Sequence, residues 1–201
     1  MKIKPIIFIF SVVFLLNCNE KDNSKSGTKI FDTATGFSMT VPSSFPKLDS
    51  QTKEGKLKKG VKQLNKLHAS ELEFDLNTIE KASIFQYDED NIFLLNTKDY
   101  SVAEQGNYNE AISELNKFAY QTQNLNFPNA RLDSVTSREK IDGIEFIKYI
   151  LTAKISENKT MHVVNYYHLF KDKDFTASII FTDEELGKQV LRAFKAAKLK
   201  K

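Results

Sequence analysis

The sequence predicts an α+β protein in which an antiparallel sheet is flanked by helices on both faces. Strand-like segments joined by short turns fill most of the second half of the chain, and helical segments with N-terminal caps separate and follow them. Several strands are apolar on both faces, which is typical of a sheet covered on both sides. The predicted order is two strands, an ambiguous segment, two strands, a helix, four strands and a helix.

The first elements are short strands. Residues 29–42 predict two strands around the pair Thr35-Gly36, because apolar residues alternate with polar ones in the second half of this segment. Residues 82–97 predict a hairpin whose turn is the acidic stretch 88–91. Both segments supply apolar residues to the expected core.

Two segments have helical spacing. The lysine-rich segment 50–72 has apolar residues at roughly helical spacing, but two glycines weaken its start, so it stays ambiguous. The segment 107–125 is a clear amphipathic helix, with Asn107 as its cap and Glu110 three residues later.

The last part of the chain predicts four strands and a terminal helix. Asp142-Gly143 is a hairpin turn between the first two strands. The segment 182–185, Thr-Asp-Glu-Glu, predicts a capping box that begins the helix, and a basic end from Lys195 to Lys201 suits its C-terminus. The strands are 130–141, 144–155, 160–171 and 175–182, and the apolar stripe of the helix is Leu186, Val190, Leu191, Phe194 and Ala197.

The N-terminus has the order of a signal peptide. Lys2 and Lys4 precede an apolar run that ends near Leu16, which is shorter than the roughly 20 residues of a membrane-spanning helix. The alternative is a buried N-terminal element of a cytosolic domain. We interpret residues 1–17 as a lipoprotein signal peptide.

The sequence Leu15-Leu16-Asn17-Cys18 resembles the lipobox of bacterial lipoproteins. The resemblance implies that Cys18, the only cysteine, carries a diacylglyceryl group and becomes the first residue after cleavage. The membrane is then a partner through this lipid anchor, because several acyl chains hold a protein far more firmly than one. The implied location is the outer membrane.

A polar tether follows the cysteine. Residues 18–28 are the acylated cysteine and a flexible linker, since no apolar residue occurs from 19 to 28. Glu20, Lys21 and Asp22 are similar to the surface-export signal of some Gram-negative lipoproteins, although an ordinary solvated tether has the same composition. Both cell-surface and periplasmic orientations stay open. Residues 29–201 form a single predicted domain.

The net charge and the absence of known motifs indicate which partners and cofactors are not expected. The formal charge of the whole chain is +3, and removal of Lys2 and Lys4 with the signal peptide leaves +1. A nearly neutral chain is not expected to bind nucleic acid. No phosphate loop, dinucleotide fingerprint or nucleophile elbow occurs, so we predict no cofactor and no catalytic residue.

The histidines and tyrosines do not form a recognisable site. His162 and His168 share one strand but are separated by about 20 Å at strand rise, and His68 lies in the ambiguous segment, so we predict no metal centre. Tyr166 and Tyr167 either face a ligand or, as their apolar neighbours favour, belong to the core of the sheet.

Two further patterns are the acidic turns and two short matches to a glycosylation site. The acidic turn 88–91 lacks the glycine and distal glutamate of an EF-hand loop and is expected to be a solvated turn, as are Asp172 and Asp174. The patterns around Thr33 and Ser134 resemble a three-residue O-glycosylation site of some bacterial envelopes, with ordinary strand-end hydroxyls as the alternative.

The element order as a whole resembles the PsbP-like fold. The resemblance lies in GFSMTVP after an opening strand, the four closing strands, and FTASIIFTDEELGKQVLRAFKAAK at the end. This fold is named for a small extrinsic subunit of photosystem II and includes bacterial lipoproteins of unknown role. It implies no catalytic residue that can be transferred to this chain.

Three functions are compatible with these observations. The first is a non-catalytic binding or accessory module of the envelope, whose partner is an envelope protein or a small apolar ligand. The second is a carrier that holds an apolar ligand between sheet and helix. The third is a hydrolase whose site is assembled from residues scattered in the sequence.

Overall fold

A computed structural model of the chain describes residues 27–68 and 82–199. The strands in these ranges are β1 (Thr28–Phe31), β2 (Phe37–Val41), β3 (Ser83–Asp88), β4 (Asn91–Asp99), β5 (Arg131–Ile141), β6 (Ile144–Ser156), β7 (Lys159–Phe170), β8 (Lys173–Phe181) and β9 (Lys198–Leu199). The helices are α1 (Ser50–Leu67), α2 (Val102–Gln105), α3 (Tyr108–Asn126) and α4 (Glu184–Lys195).

The strands form two antiparallel sheets. The larger sheet has six strands in the order β3-β4-β8-β7-β6-β5, and the smaller has three in the order β1-β2-β9. The predicted α+β class is confirmed, with helices on both faces of the large sheet. The sequence predicts β1 and β2, but it predicts neither β9 nor a second sheet. Strand β9 has two residues, which are too few to show a strand pattern in the sequence.

One face of the large sheet packs against α4 and the small sheet. This core is almost purely apolar and rich in phenylalanine, and its aromatic rings contact one another across the two layers. Burial of such rings is a large source of folding free energy. The fully buried members include Phe37, Phe93, Phe146, Phe175, Val190 and Phe194.

The opposite face packs against α1 and α3. Leu57 and Leu64, one heptad apart, are the buried residues of α1, and Ile112 and Leu115 are buried on α3. At the far end of α1, His68 hydrogen-bonds Thr122 of α3 over 2.9 Å. The burial of two well-separated leucines explains why residues 50–67 of the ambiguous segment are helical despite their glycines, because tertiary packing outweighs propensity. Residues 69–72 of that segment lie outside the described residues.

Capping residues set the helix starts. The Asn107 side chain accepts hydrogen bonds from the backbone N–H groups of α3, as predicted. Helix α4 is capped by Asp183 and not by Thr182, and the residue three positions after Asp183 is Leu186, so the predicted Thr182–Glu185 capping box does not form. The helix ends at Lys195, and the chain then extends into β9 instead of continuing as a basic helical end.

The hairpin between β5 and β6 closes in two residues. Asp142 and Gly143 both have positive φ, at 49° and 84°, which is the backbone of a type I′ turn. Ile141 and Ile144 are the closing pair, and the register of the hairpin follows from them along the whole length of β5. Among the described helices, none has the length and apolar character that crossing a membrane requires.

Candidate functional site: a cleft between helix α3 and strand β5

An open cleft of about 710 Å³ lies between helix α3 and the outer strands of the large sheet. Its floor is the buried pair Ile147 and Tyr149 of β6. Its other lining residues carry hydroxyl, amide or cationic groups, apart from the aliphatic Ile112: Asn109, Ile112, Ser113, Asn116, Lys117, Tyr120 and Gln121 on α3, and Ser134, Thr136, Ser137 and Arg138 on β5.

The register of the sheet explains why β5 forms one side of this cleft. Ser134, Thr136 and Arg138 lie directly opposite Leu151, Tyr149 and Ile147 of β6, so each pair points to the same face of the sheet. Helix α3 covers the β6 residues of that face, whereas the three β5 residues stay exposed. The cleft is therefore the uncovered margin of the face on which α3 packs.

Two cations lie at the rim. Lys117 pairs with Glu114 over 2.8 Å, and Arg138 pairs with Glu145 over 3.0 Å. The four side chains are between 47% and 65% exposed, and such surface pairs contribute only about 0.2–1 kcal/mol. A ligand can therefore bind either cation in place of its carboxylate partner, and the protein loses little folding free energy.

The inner end of the cleft is a buried hydrogen-bond chain. The Tyr167 hydroxyl donates to Asn116 Oδ1 over 3.1 Å and accepts from Asn165 Nδ2 over 2.8 Å. The Tyr149 hydroxyl donates to the backbone oxygen of Asn116 over 3.3 Å. Burial raises the pKa of Tyr167, so this hydroxyl keeps its proton and remains a donor. Asn116 thus joins the open cleft to the polar interior of the fold.

That interior contains carbonyl oxygens without hydrogen-bond partners. The side-chain oxygens of Asn96, Gln123 and Asn165 are buried and accept no hydrogen bond in the described structure. An unsatisfied buried acceptor costs about 1–3 kcal/mol, so ordered water or a ligand donor would stabilise it. Asn165 is bonded to Tyr167, which places one of these acceptors next to the inner end of the cleft.

The prediction for Asp174 is wrong. This residue was expected in a solvated turn, but it is only 5% exposed, under the start of α3. It accepts a hydrogen bond from the Tyr108 hydroxyl over 2.8 Å and lies 3.5 Å from Lys98 Nζ. Burial raises its pKa, although Lys98 and Tyr108 act in the opposite direction. Strand β8 begins at Lys173, and this places Asp174 inside the sheet instead of in the turn.

The acidic turn also has a structural role that the sequence did not reveal. Asn91 is 3% exposed, and its side-chain oxygen accepts hydrogen bonds from the backbone of Thr182 and Asp183. It thereby fixes the start of α4 against the β3–β4 hairpin. Asp90 pairs with Lys159 over 2.6 Å. Within the described ranges, no group of three or more His, Cys, Asp or Glu side chains is arranged for a metal ion.

The histidines are held by separate structural contacts. His68 stacks on Phe118, with ring centroids 4.4 Å apart. His162 stacks on Phe181 at 4.9 Å and lies 3.2 Å from Glu184. The Nδ1 atom of His168 is 2.8 Å from the backbone oxygen of Glu145. Tyr166 and Tyr167 are buried, which confirms the core interpretation, although the Tyr167 hydroxyl also contacts the inner end of the cleft.

The other predicted site residues are not brought together. Cys18 and the possible export residues Glu20, Lys21 and Asp22 lie outside the described residues, as does the predicted signal peptide. Thr33 is exposed in the turn between β1 and β2 of the small sheet. Ser134 is exposed in the cleft on β5 of the large sheet. The cleft itself was missed, because the polar alternation of β5 does not show that this strand is an uncovered edge.

Comparisons with known proteins show a similarity of fold alone. No family model matches the sequence, and no curated protein matches it significantly. The fold is similar to the solution structure of cyanobacterial PsbP, CyanoP, from Synechocystis sp. PCC 6803, with a TM-score of 0.51 and 9% identity over 92% of this chain and 99% of that chain. A crystal structure from Bacteroides thetaiotaomicron VPI-5482 has a TM-score of 0.42 and 11% identity over 88% of this chain and 49% of that one.

The first similarity confirms the fold that the sequence resemblance implied. The protein has a PsbP-like α+β fold. At 9% identity the similarity carries no site residue from that structure to this chain.

Proposed function

We propose that the protein is a non-catalytic binding or accessory module of the bacterial envelope, and that the α3–β5 cleft is its binding surface. The observation that carries the proposal is the chemistry of the cleft. Its walls present hydroxyl and amide groups above a floor of Ile147 and Tyr149. A few oriented polar groups around an apolar floor are typical of a ligand site.

The lining favours binding over catalysis. Among the described residues that line the cleft, none carries the carboxylate or imidazole base that usually activates a serine or threonine hydroxyl as a nucleophile. Asp174 is a titratable group of the interior, but it bonds Tyr108 and is not part of the lining. The hydrolase alternative therefore has less support than the binding module.

The lining also indicates the class of ligand. Side-chain amides and hydroxyls donate and accept hydrogen bonds, Lys117 and Arg138 add donors at the rim, and Tyr120 offers an aromatic face. This chemistry suits a ligand or a segment of an envelope protein with polar groups along one side and a small apolar face. It suits the purely apolar ligand of a carrier less well.

The envelope location is part of the proposal. Lipid modification of Cys18 would tether the domain to the outer membrane, with residues 19–28 as a linker. If Glu20, Lys21 and Asp22 act as an export signal, the cleft would face the outside of the cell, and otherwise the periplasm. In either orientation the partner is a component of the envelope.

A photo-crosslinking experiment tests the binding surface. A benzophenone amino acid replaces Tyr120 in the cleft or, as a matched control, the exposed Tyr87 on strand β3 at the opposite edge of the sheet. After illumination in native envelopes, we expect an adduct of defined mass from position 120 and none from position 87. Ser113→Trp, which fills the cleft, should abolish the adduct, whereas Glu114→Trp on the same helix should not.

Two results would contradict the proposal. Equal labelling from positions 120 and 87, or labelling that Ser113→Trp leaves unchanged, would mean that the cleft is not the binding surface. Turnover of a hydrolase substrate by the purified protein, lost when one cleft residue is replaced by Ala, would support an enzyme instead.

A further inference from the structure

The two edges of the six-stranded sheet differ in what covers them. At the β3 edge, the backbone of residues 46–48 bonds Ile84 and Gln86, and a bulge interrupts the strand between Gln86 and Asp88. The β5 edge is a regular strand of 11 residues that pairs only with β6 in the part of the chain that the structure describes. An uncovered regular edge is a template for another strand.

The hairpin register defines which β5 groups face outward. In a two-residue type I′ hairpin the closing pair, here Ile141 and Ile144, exchanges both backbone hydrogen bonds. Backbone groups alternate in direction along a strand, so the odd-numbered residues of β5 bond β6. The backbone N–H and C=O groups of Leu132, Ser134, Thr136, Arg138 and Lys140 therefore point to the free edge.

We propose that this edge pairs with β5 of a second copy of the chain, antiparallel, around a two-fold axis at Val135. Val135 is 54% exposed and is one of the large apolar side chains left uncovered on the described surface. In this register it lies opposite its own counterpart, and Ser134 faces Thr136 with the outward backbone groups of both in position to bond. The two sheets then form one continuous sheet of twelve strands, with both clefts on the same face.

Charge selects this register over its neighbours. With the axis at Val135, Arg131 lies opposite Glu139 on each side of the axis, and opposite charges in directly facing positions stabilise a strand pair. Within its own copy Glu139 already pairs with Lys148 over 2.8 Å and with Lys195 over 2.6 Å, so Arg131 would be a third cation at this carboxylate. Moving the axis to Thr136 places Asp133 opposite Glu139, which is repulsive. Moving it to Ser134 leaves no oppositely charged pair within the strand.

Disulfide trapping in the full-length protein tests the register. Facing residues of a non-hydrogen-bonded pair have Cβ atoms about 4.5–5.5 Å apart, close to the spacing of a disulfide. After mild oxidation of the detergent-purified protein, we expect Val135→Cys to give a covalent dimer. Ser137→Cys is the matched control, because four residues, about 13 Å, would separate the two thiols. It should give no more dimer than the wild type, which contains Cys18 alone.

Two further changes, each added to the Val135→Cys variant, test the mode of pairing. Thr136→Pro removes an outward N–H and leaves the hydrogen bonds to β6 intact, so it should abolish the covalent dimer while circular dichroism shows a folded protein. Arg131→Glu, at an exposed position, should reduce the dimer by opposing Glu139 with a like charge. Equal dimer from Val135→Cys and Ser137→Cys, or a dimer yield unchanged by both edge changes, would overturn the proposal.

Discussion

The hydroxyl of Tyr108, the first residue of α3, donates a hydrogen bond to the buried carboxyl group of Asp174 over 2.8 Å. This contact joins the start of the cleft helix to strand β8 in the centre of the sheet. Lys98 lies 3.5 Å from the other carboxyl oxygen and supplies an opposite charge. Because burial outweighs these two partners and raises the pKa of Asp174, ionisation of this residue opposes folding.

The first prediction concerns the pH dependence that Asp174 contributes. A raised pKa in the folded state means that the folded protein holds the proton more strongly than the unfolded chain. The stabilisation is complete below the unfolded pKa and is lost as the pH rises through the folded pKa. Relative to Asp174→Asn, the wild type should therefore lose stability in urea unfolding as the pH is raised from the ordinary carboxyl range, about 4, toward alkaline values.

The control for this prediction is Asp172→Asn. Asp172 is 72% exposed in the neighbouring turn and lies 3.5 Å from Lys173, and replacing one partner of such a surface pair should change stability by less than about 1 kcal/mol. If the difference in free energy of unfolding between wild type and Asp174→Asn is the same at every pH, the pKa of Asp174 is not raised in the folded protein.

The second prediction concerns Glu139, whose behaviour is opposite. Burial acts to raise its pKa, but hydrogen bonds from Lys148, Lys195 and Tyr166 outweigh burial and lower the pKa to about 2. The stabilisation is present above the unfolded value and is lost as the pH falls toward about 2. Glu139→Gln should cost on the order of 2 kcal/mol at neutral pH, and the cost should disappear in acid.

Urea unfolding at several pH values measures this effect, with Glu145→Gln as the control. Glu145 is 47% exposed and has Arg138 as its ion-pair partner, so its replacement should cost well under about 1 kcal/mol. A cost at Glu139 that persists unchanged at low pH would show that the loss comes from packing and not from charge.

The third prediction concerns Gly187 of α4. A Cβ atom at this position would lie 2.4 Å from the ring of Phe181, which is closer than any real contact. Gly187→Ala should therefore destabilise the protein by about 1–3 kcal/mol, because the ring or the helix must move. Gly60→Ala in α1 is the matched control, since nothing lies within 4 Å of the added atom.

Gly60→Ala should instead stabilise the protein by about 0.5–1 kcal/mol, because alanine loses less backbone entropy in a helix than glycine. Thermal or urea unfolding distinguishes the two signs. If Gly187→Ala is as stable as Gly60→Ala, helix α4 does not pack against Phe181 as the structure indicates.

The fourth prediction concerns the proposed lipid anchor. Cys18→Ala should abolish incorporation of a fatty-acid label and leave the chain unprocessed or released from the membrane, because the thiol is the acceptor of the lipid. Metabolic labelling followed by membrane fractionation measures both effects, with Ser24→Ala in the linker as a control that keeps the thiol. Persistent label on the Cys18→Ala variant would disprove the lipoprotein interpretation.

Much of the fold was determined by local sequence patterns. Strand β5 follows from its alternation, and strands β6 to β8 follow from strand-like apolar runs separated by turns such as Asp142-Gly143. The cap of α3 follows from Asn107, whose side chain bonds the helix start. These signals act between residues close in the chain, so a single sequence contains them. The double-sided apolar character of the strands likewise predicted helices on both faces of the sheet.

The tertiary structure alone decided which strands are edges and which polar groups are buried. The sequence of β5 alternates like that of any strand with one solvated face, and its exposure depends on how far α3 extends over the sheet. Asp174 has the sequence context of a turn, yet the pairing of β8 with β4 places it beside Lys98 and beneath Tyr108. Burial and contact depend on residues distant in sequence, and for this reason the cleft at Asn116 emerged only from the folded arrangement.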